Sequence, residues 1–331
     1  MGNVSVGIVT FNSASDIGGC LASVRAQTRP VAEVLVWDNA STDGSADLAR
    51  AAGATVVASP TNVGFAAAAN EIVRRTGAPY LLLLNPDARL AADYVERLCR
   101  AAEADPGIGS LTGKILRPPP PSGPALIDST GHVLYRNRSA LNRGENEPDR
   151  GQFEEPGEVF GVCAAAALYR RAMLEDVRVG DEYFDGVFFA YLEDVDLDWR
   201  ARLRGWKAYY VPAAVAVHAR GHRGKRRMKN PWVLRHSLKN RYLMMLRNDR
   251  LADVLRDLPA IAAIEALRTL DYAVTHPSAL RGYLDLLPLL RRTTAMRRVI
   301  QGRRLAAPAV VRAWLAPYPF RRKFRELLRG D

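Results

Sequence analysis

Short apolar segments alternate with amphipathic ones along the first third of the chain. Apolar runs bounded by turn residues predict strands at 4–10, 33–37, 55–58, 80–84 and 109–116, with helices between them. Strands that alternate with helices at these intervals are typical of βαβ units. The pattern therefore predicts an α/β fold with a doubly wound, mostly parallel sheet.

The run Tyr80–Leu84 ends abruptly in Asn85-Pro86-Asp87. Pro86 has no backbone donor for a sheet ladder, so we expect the strand to stop there and Asp87 to lie at its carboxyl end. In open α/β sheets this edge binds ligands, and a carboxylate there suits a divalent cation that could hold a phosphate. Taken alone, the triplet is more typical of an ordinary turn than of a site.

Beyond residue 117 the pattern becomes irregular. A Pro-rich linker at 118–124 precedes a predicted hairpin around Ser129-Thr130-Gly131 and a polar stretch at 142–156 that we expect to be a mobile loop. We predict further strands at 159–169 and 209–217. Between them, Glu193-Asp194 opens a predicted helix that runs to about residue 204, where acidic residues favour the positive end of the helix dipole.

Four polar residues follow or precede these buried segments at the same kind of edge: Asp38, Asp87, Asp194 and His218. A lone Asp after a strand is usually a helix cap, and a lone His is usually a satisfied polar residue. Several acids at one sheet edge cost stability unless a cation or hydrogen-bond donors satisfy them. Their convergence favours a functional site over isolated caps.

Composition restricts the class of protein. With 331 residues, 48% of them hydrophobic and 25% charged, the chain can bury a large core. Three scattered cysteines indicate a reducing compartment and no disulfide framework. The apolar start has no charged region before it, so we interpret it as a first strand and not as a signal peptide. We find no uncharged run long enough to span a bilayer.

A formal net charge of +12 indicates an anionic partner: nucleic acid, a membrane surface or a phosphorylated substrate. Much of it lies in the loop 220–229 and in the helical stretches 233–247, 291–304 and 312–329. In the first stretch Leu234, Leu238, Tyr242 and Met245 form an apolar stripe for packing. The basic residues on the other sides of these helices suit an anionic membrane surface, and three aromatic residues could serve as interfacial anchors. The basic residues are Arg235, Lys239 and Arg241, and the aromatic ones are Trp314, Tyr318 and Phe320.

Nucleic-acid binding is the weaker interpretation, because the chain has no aromatic-basic strand motif or helix-turn-helix pattern that we recognise. It also leaves the acids at the sheet edge unexplained.

Six stretches, in this order, resemble family 2 glycosyltransferases of the GT-A fold, and more closely their rhamnosyltransferase-like branch. The stretches are VSVGIVTFN, VLVWDNASTDGS, PTNVGFAAAAN, YLLLLNPDARL, FFAYLEDVDLDWRARLRGW and VPAAVAVHARG, and they cover roughly residues 4–220. The resemblance implies a GT-A catalytic domain at 1–230, with a donor half to about 117 and an acceptor half after it. A basic, mostly helical extension at 231–331 follows.

The resemblance implies seven donor-binding residues: Thr10, Asn12, Asp38, Asn62, Gly64, Asn85 and Asp87. Asp38 matches an acid that accepts a hydrogen bond from the pyrimidine base of the donor. Asp87 matches the last acid of the DxD motif, which holds Mg²⁺ or Mn²⁺ on the diphosphate, and His218 matches a residue that completes the metal site. Here Asn85 replaces the first acid, which brings a carbonyl ligand without charge.

Asp194 matches the catalytic base that takes a proton from the acceptor hydroxyl during a single, inverting displacement. Glu193 and Gly161 match acceptor-site residues; Glu193 could instead orient the base, and Gly161 has an equally good role in packing. We expect Asp196 and Asp198 to be solvated residues in the first turn of the helix.

For substrates, the resemblance favours dTDP-rhamnose as donor, then UDP-hexoses, with a saccharide or polyprenyl-diphosphate-linked acceptor in cell-envelope polysaccharide synthesis. We expect a cytoplasmic protein, peripheral on the inner face of the membrane. Two alternatives stay open: a sugar-phosphate nucleotidyltransferase, although the turn 11–15 lacks its Gly-rich basic loop, and a non-catalytic binding protein. The sequence leaves the oligomeric state open.

Overall fold

The computed structural model describes residues 3–220 and 230–319. The strands are β1 (Val4–Thr10), β2 (Glu33–Asp38), β3 (Thr55–Ala58), β4 (Tyr80–Leu84), β5 (Ala88–Leu90), β6 (Ile108–Leu116), β7 (Ile127–Ser129), β8 (His132–Tyr135), β9 (Ala140–Asn142), β10 (Gly157–Val159), β11 (Ala166–Arg170), β12 (Lys207–His218) and β13 (Leu315–Ala316).

The α-helices are α1 (Ile17–Arg25), α2 (Ser45–Ala51), α3 (Gly64–Arg75), α4 (Tyr94–Ala104), α5 (Arg171–Val177), α6 (Glu193–Arg204), α7 (Pro231–Asn248), α8 (Leu251–Thr275), α9 (Arg281–Leu284), α10 (Leu290–Gly302) and α11 (Pro308–Ala313).

One ten-stranded sheet organises the molecule, in the order β10-β12-β6-β11-β4-β1-β2-β3, with β5 beside β12 and β7 beside β6. Strands β3, β2, β1 and β4 are parallel neighbours, and β12 is parallel to β6. Strand β11 lies antiparallel between β4 and β6. The α/β, mostly parallel prediction is confirmed; the alternation of elements gave no sign of the inserted antiparallel strand.

Helices cover both faces of this sheet, which is why β4 is buried at all five positions. On one face the core contains Ile17 and Leu98 of α1 and α4. On the other it contains Ile72 of α3, Met173 of α5 and Leu197 of α6. A strand buried on both faces has a continuous apolar sequence, as Tyr80–Leu84 does.

The predicted hairpin around Ser129-Thr130-Gly131 is wrong. Strand β7 pairs with β6, while β8 pairs with β9 in a separate three-stranded sheet. The predicted strand 159–169 is also interrupted, leaving β10 and β11 with a gap at 160–165. In that gap the amides of Val162 and Ala164 donate to the carboxylates of Asp198 and Asp194, so they are not available to a strand ladder.

The basic residues of α7 are not free for a membrane, contrary to prediction. Lys239 is buried and donates to the Val187 carbonyl at 2.5 Å, and Arg241 is buried against Glu265. Arg235 pairs with Asp285 at 2.6 Å. The predicted apolar stripe does pack: Leu238 and Met245 are buried, and Leu234 and Tyr242 are half-buried. Because α7 lies between the sheet domain and the later helices, both of its sides are covered.

Two predicted interfacial anchors pack against the chain itself. The Trp314 ring lies under the Arg202 guanidinium at 4.1 Å, and Tyr318 meets Tyr135 edge to face at 5.2 Å. The third anchor, Phe320, and most of the basic loop 220–229 lie outside the described residues. No helix within 3–220 or 230–319 combines the length and the apolar character that crossing a membrane requires.

Candidate active site

Strands β1 and β2 end side by side, with Thr10 in register with Asp38. Both side chains are buried. One Asp38 oxygen accepts from the Ser41 amide at 3.1 Å, whereas the other, Oδ1, and the Thr10 hydroxyl have no hydrogen-bond partner among the described residues. Asp38 is not a helix cap, because α2 begins later, after Gly44. A buried carboxylate oxygen without a donor is costly, so this edge suits a ligand that brings N–H groups.

The other predicted donor residues connect loops at this edge. Asn12, at φ 51°, accepts from the Thr42 amide at 2.9 Å and so joins the turns after β1 and β2. Asn62 accepts from the Gly64 amide at 2.9 Å. Gly64 has φ +83°, and a Cβ there would lie 2.5 Å from the Phe189 carbonyl oxygen. The close approach that requires glycine is therefore made to the chain itself, at the loop before α6.

Asp87 and His218, two of the predicted site residues, meet across β5 and β12. The imidazole Nε2 lies 3.1 Å from Asp87 Oδ1 and 3.2 Å from the Asn85 amide nitrogen. Its Nδ1 lies 2.8 Å from Asp128, which is completely buried and also contacts Arg220. Burial opposes protonation of His218, but the bonds to Asp128 and Asp87 outweigh it and raise its pKa to about 10.

Asp128 was not recognised from the sequence. Its only signal is an acid within the apolar segment Leu126–Ser129, where a charge is expensive unless it is paired. Because a carboxylate on one ring nitrogen fixes the tautomer and the orientation of a histidine, Asp128 presents His218 Nε2 to Asp87.

Asp194 lies in the first turn of α6 and is partly exposed. Its Oδ2 accepts from the Ala164 amide at 3.2 Å, and its Oδ1 accepts from the Val195 amide at 2.8 Å. The next residue along, Ala165, accepts from the Asn85 amide at 2.9 Å. Two consecutive alanines thus connect Asp194 to the Asn85–Asp87 turn, so the two predicted groups are neighbours.

Asp198 is buried, not solvated as predicted, and it binds His132. The His132 Nδ1 lies 2.9 Å from Asp198 Oδ2, and its Nε2 lies 3.6 Å from Asp194 Oδ2. Burial opposes the charged imidazole, yet Asp194 and Asp198 on its two sides raise the pKa of His132 well above its usual value. A protonated imidazole therefore connects the two carboxylates. His132 was missed because it comes from β8, far from α6 in sequence.

Asp196, also predicted to be solvated, is buried as well. It pairs with Arg200 at 2.9 Å and accepts from Asn248 of α7 at 2.7 Å. Asp196 and Asp198 were predicted to be solvated for the same reason. The sequence of α6 shows acidic faces, but it does not show that α7 and β8 cover those faces.

Glu193 and Gly161 complete this half of the site. Glu193 Oε2 is buried with no hydrogen-bond partner among the described residues, and burial, then the charge of Asp194, raises the pKa of Glu193 well above its usual value. A Cβ on Gly161 would lie 1.9 Å from Asp198 Oδ2. Gly161 therefore has a packing role beneath the Asp198–His132 pair.

The loop before α6 has an unusual backbone. Phe189, Tyr191 and Leu192 all have positive φ, between 63° and 74°. Asn240 of α7 holds this loop by donating to the carbonyls of Phe188, Ala190 and Tyr191 at 2.8–2.9 Å. Each such residue costs about 1–3 kcal/mol and persists only when its surroundings hold it. The sequence gave no signal for Asn240.

Two sets of side chains have ligand atoms for a cation. In the first set, Asp87, His218 and, after an amide flip, the Asn85 carbonyl offer oxygen and imidazole ligand atoms, and Asp128 holds the other ring nitrogen of His218. His132, Cys163 and Asp194 also converge, with ligand atoms within 4.8 Å. At either set a cation would have to displace the proton that the neighbouring acids hold on the imidazole. The second set is the poorer site for Mg²⁺ or Mn²⁺, because one of its three ligands is the thiol of Cys163 and both Asp194 oxygens already accept from backbone amides.

Comparisons with known proteins bear on the family and the fold of the chain. The model of "Glycosyl transferase family 2" matches residues 5–178. An N-acetylglucosaminyl-diphospho-decaprenol L-rhamnosyltransferase of Mycobacterium tuberculosis is 31% identical over 242 residues, covering 65% of this chain and 75% of that protein.

Solved structures show the same fold. A Pyrobaculum calidifontis mannosyltransferase in complex with GDP-Man and Mn²⁺ gives a TM-score of 0.54 at 19% identity, over 94% of this chain and 85% of that one. TarS 1–349 of S. aureus gives 0.55 at 16% identity, over 100% and 92%. With the family model matching more than half of its residues, the chain belongs to glycosyl transferase family 2 and is a glycosyltransferase of the rhamnosyltransferase-like kind.

Proposed function

We propose that this enzyme transfers a sugar, preferably rhamnose, from a nucleoside diphosphate to a lipid-linked or saccharide acceptor with inversion at the anomeric carbon. The observation that carries the proposal is the pair of consecutive alanines, Ala164 and Ala165, which connects Asp194 to the Asn85–Asp87 turn. A proton acceptor and a diphosphate-binding acid are thereby neighbours at one edge of the sheet, as a single displacement requires.

For the donor, Asp38 and Thr10 supply the base-binding end of the site. The free Asp38 Oδ1 and the Thr10 hydroxyl can pair with the N3–H and the carbonyl of thymine or uracil. We favour dTDP-rhamnose, then UDP-hexoses, because the M. tuberculosis relative is a rhamnosyltransferase. Asn12, Asn62 and Gly64 support this pocket by fixing the loops around it.

Asp87 and His218 would hold Mg²⁺ or Mn²⁺, with Asn85 as a neutral third ligand. When bound, the cation supplies Lewis-acid stabilisation of the departing diphosphate. The residues fit this role because Asp128 aims His218 Nε2 at Asp87. The single carboxylate of the motif is thus supplemented by an imidazole.

Asp194 is the proposed general base. Its carboxylate is held by two backbone amides and stays partly exposed, so one oxygen can reach an acceptor hydroxyl. His132 is a positioning residue: its ring, held by Asp198 at 2.9 Å, places Nε2 3.6 Å from Asp194 Oδ2. Glu193, whose pKa is raised by burial and by the charge of Asp194, can hydrogen-bond the acceptor or orient the base. Gly161 leaves room for the Asp198 carboxylate beside it.

For the acceptor, we propose a polyprenyl-diphosphate-linked sugar in cell-envelope polysaccharide synthesis, on the cytoplasmic side of the membrane. The M. tuberculosis relative is named N-acetylglucosaminyl-diphospho-decaprenol L-rhamnosyltransferase. A candidate membrane patch lies around α9, where Leu284, Leu287 and Leu290 are exposed at 64%, 63% and 44% beside exposed Arg281 and Arg291. Arginines around exposed leucines suit an anionic surface.

The membrane patch predicts a measurable change in lipid binding. Replacing both Leu284 and Leu287 by Glu should lower binding to anionic vesicles about tenfold or more, since it removes two apolar contacts and adds charge repulsion. Val310→Glu, at another exposed apolar position, is the control and should leave flotation unchanged. Equal flotation of all three proteins would rule the patch out.

A transfer assay tests the proposed function directly. The protein is incubated with dTDP-rhamnose or a UDP-hexose, Mg²⁺ or Mn²⁺, and a GlcNAc-diphospho-polyprenol acceptor, and the product's linkage is analysed by NMR. We expect an inverted glycosidic product with dTDP-rhamnose. Failure of every donor in the panel to react with this acceptor, in a protein that binds them, would overturn the proposed substrates.

A further inference from the structure

Helix α8 presents a long apolar face that nothing in the described chain covers. Its 25 residues extend about 37 Å. Six large apolar side chains are exposed over the half of the helix surface that the described chain leaves open, from 47% at Leu258 to 84% at Val274. The other four are Leu251, Leu255, Leu267 and Leu270. Monomeric proteins rarely leave so continuous an apolar surface in water.

The six exposed apolar positions are spaced symmetrically about the middle of helix α8. Leu251 and Val274 lie equally far from the midpoint between Ala262 and Ala263, and so do Leu255 and Leu270, and Leu258 and Leu267. Any regular stripe has such spacing, but here the sizes match as well. The exposed residues nearest the midpoint are Pro259 and three alanines, Ala262, Ala263 and Ala266, and the leucines lie outside them. Small residues at the centre let two helix backbones approach closely, and a twofold contact requires a surface that complements itself.

Two exposed charged residues of helix α8 would also meet their opposites in such a pair. Arg256 and Asp271 are exposed and form no ion pair within residues 3–220 and 230–319. In an antiparallel pair about this midpoint, Arg256 of one copy falls within two residues of the partner's Asp271, and the reverse holds by symmetry. We propose that α8 is a self-association surface that pairs antiparallel with α8 of a second copy, about a twofold axis between Ala262 and Ala263.

A lipid surface fits this face less well. Helices that lie on anionic membranes are rich in Lys and Arg. Helix α8 has two arginines, Arg256 and Arg268, against four acids, Asp253, Asp257, Glu265 and Asp271. Three of these acids pair with arginines: Asp253 and Asp257 with Arg312, and Glu265 with Arg241 and Arg268. The two charges without such a pair in the described residues, Arg256 and Asp271, balance each other. The face therefore has no basic excess to attract anionic lipid, whereas the α9 patch has arginines beside its leucines.

Sedimentation velocity on the full chain tests the pairing. We expect a concentration-dependent dimer that Leu258→Glu with Leu267→Glu weakens at least 100-fold, while Val310→Glu leaves it unchanged. Arg256→Asp and Asp271→Arg should each weaken the dimer, and the two together should restore it. A chain that stays monomeric at every concentration overturns the proposal. So does a monomer whose vesicle binding is lost in the Leu258→Glu, Leu267→Glu variant.

Cysteine cross-linking tests the direction of the pairing. Ala263→Cys, beside the axis, should form a disulfide with its own copy under mild oxidation. Ala252→Cys should not, because in this arrangement its two copies lie roughly 30 Å apart, yet it should cross-link to an Ala273→Cys protein mixed with it. The native cysteines are buried or half-buried, which keeps the background low. Self-cross-linking of Ala252→Cys overturns the antiparallel arrangement.

Discussion

At the scale of single residues, backbone amides in the 160–165 segment determine where the acids of α6 lie. Val162 and Ala164 donate to Asp198 and Asp194, and the absence of a side chain at Gly161 lets the Asp198 carboxylate fit against this segment. The acidic first turn of α6 is therefore an internal structure and not a solvated face.

Gly161→Ala should destabilise the fold and disturb the base. The added methyl meets the Asp198 carboxylate at 1.9 Å, so we expect a loss of about 1–3 kcal/mol in unfolding free energy, measured by urea denaturation. Gly157→Ala is a matched control, because a Cβ there meets nothing within 4 Å. Similar stabilities of the two variants would contradict the packing role of Gly161.

His132→Gln should lose stability in a pH-dependent way. The folded pKa of His132 is raised above its unfolded value, so the stabilisation is complete below about pH 6.5 and is lost as the pH rises through the folded pKa. We expect a loss of about 3–5 kcal/mol at pH 6 that shrinks at alkaline pH, followed by urea denaturation. His276→Gln, whose ring bonds to the neighbouring Thr275 hydroxyl, is the control. A deficit that is constant from pH 6 to 10 would contradict a charged His132.

The sequence located the acids but not their environments. Asp38, Asp87 and Asp194 follow recognisable strand ends or helix starts, and local pattern is enough to find such positions. Asp198 was misplaced because its partner, His132, lies 66 residues away along the chain. No local pattern carries a contact made at that separation, and the same holds for Asp128 with His218.

At the scale of elements, α7 acts as a brace behind the site. Asn240 donates to three carbonyls of the loop before α6, and Lys239 donates to a fourth, that of Val187. The sequence predicted the helix and its apolar stripe, because both follow from helical periodicity. The sequence did not predict that the polar face of α7 is buried as well. A loop that is distant in sequence can cover a helix without changing the helix's own pattern of polar and apolar residues.

Asn240→Ala should release the 189–192 loop. Losing hydrogen bonds to one buried and two partly buried carbonyls should cost about 1.5–4 kcal/mol in unfolding free energy. It should also reduce the transfer rate, because Glu193 and Asp194 follow this loop. Leu246→Ala, at an exposed position of the same helix, is the control for stability. An Asn240→Ala enzyme with unchanged stability and rate would refute the bracing role.

At the scale of the whole molecule, one sheet carries both halves of the proposed site. The parallel strands β1, β2 and β4 end at Thr10, Asp38 and the Asn85–Asp87 turn, where the donor is proposed to bind. The antiparallel β11 then brings the 160–165 segment, and with it Asp194, to the same edge. Alternation along the sequence predicted the first arrangement. It could not predict the second, because strand direction depends on a long irregular connection.

The most direct test of this account is the Asp194→Asn enzyme, assayed for transfer and for donor binding in parallel. Removing a general base should lower kcat about 10²–10⁴-fold, while the donor dissociation constant stays within about twofold because the Asp38 and Asp87 ends of the site are untouched. Asp47→Asn, an exposed acid on α2, should behave as wild type. Wild-type turnover in Asp194→Asn would contradict the proposed mechanism.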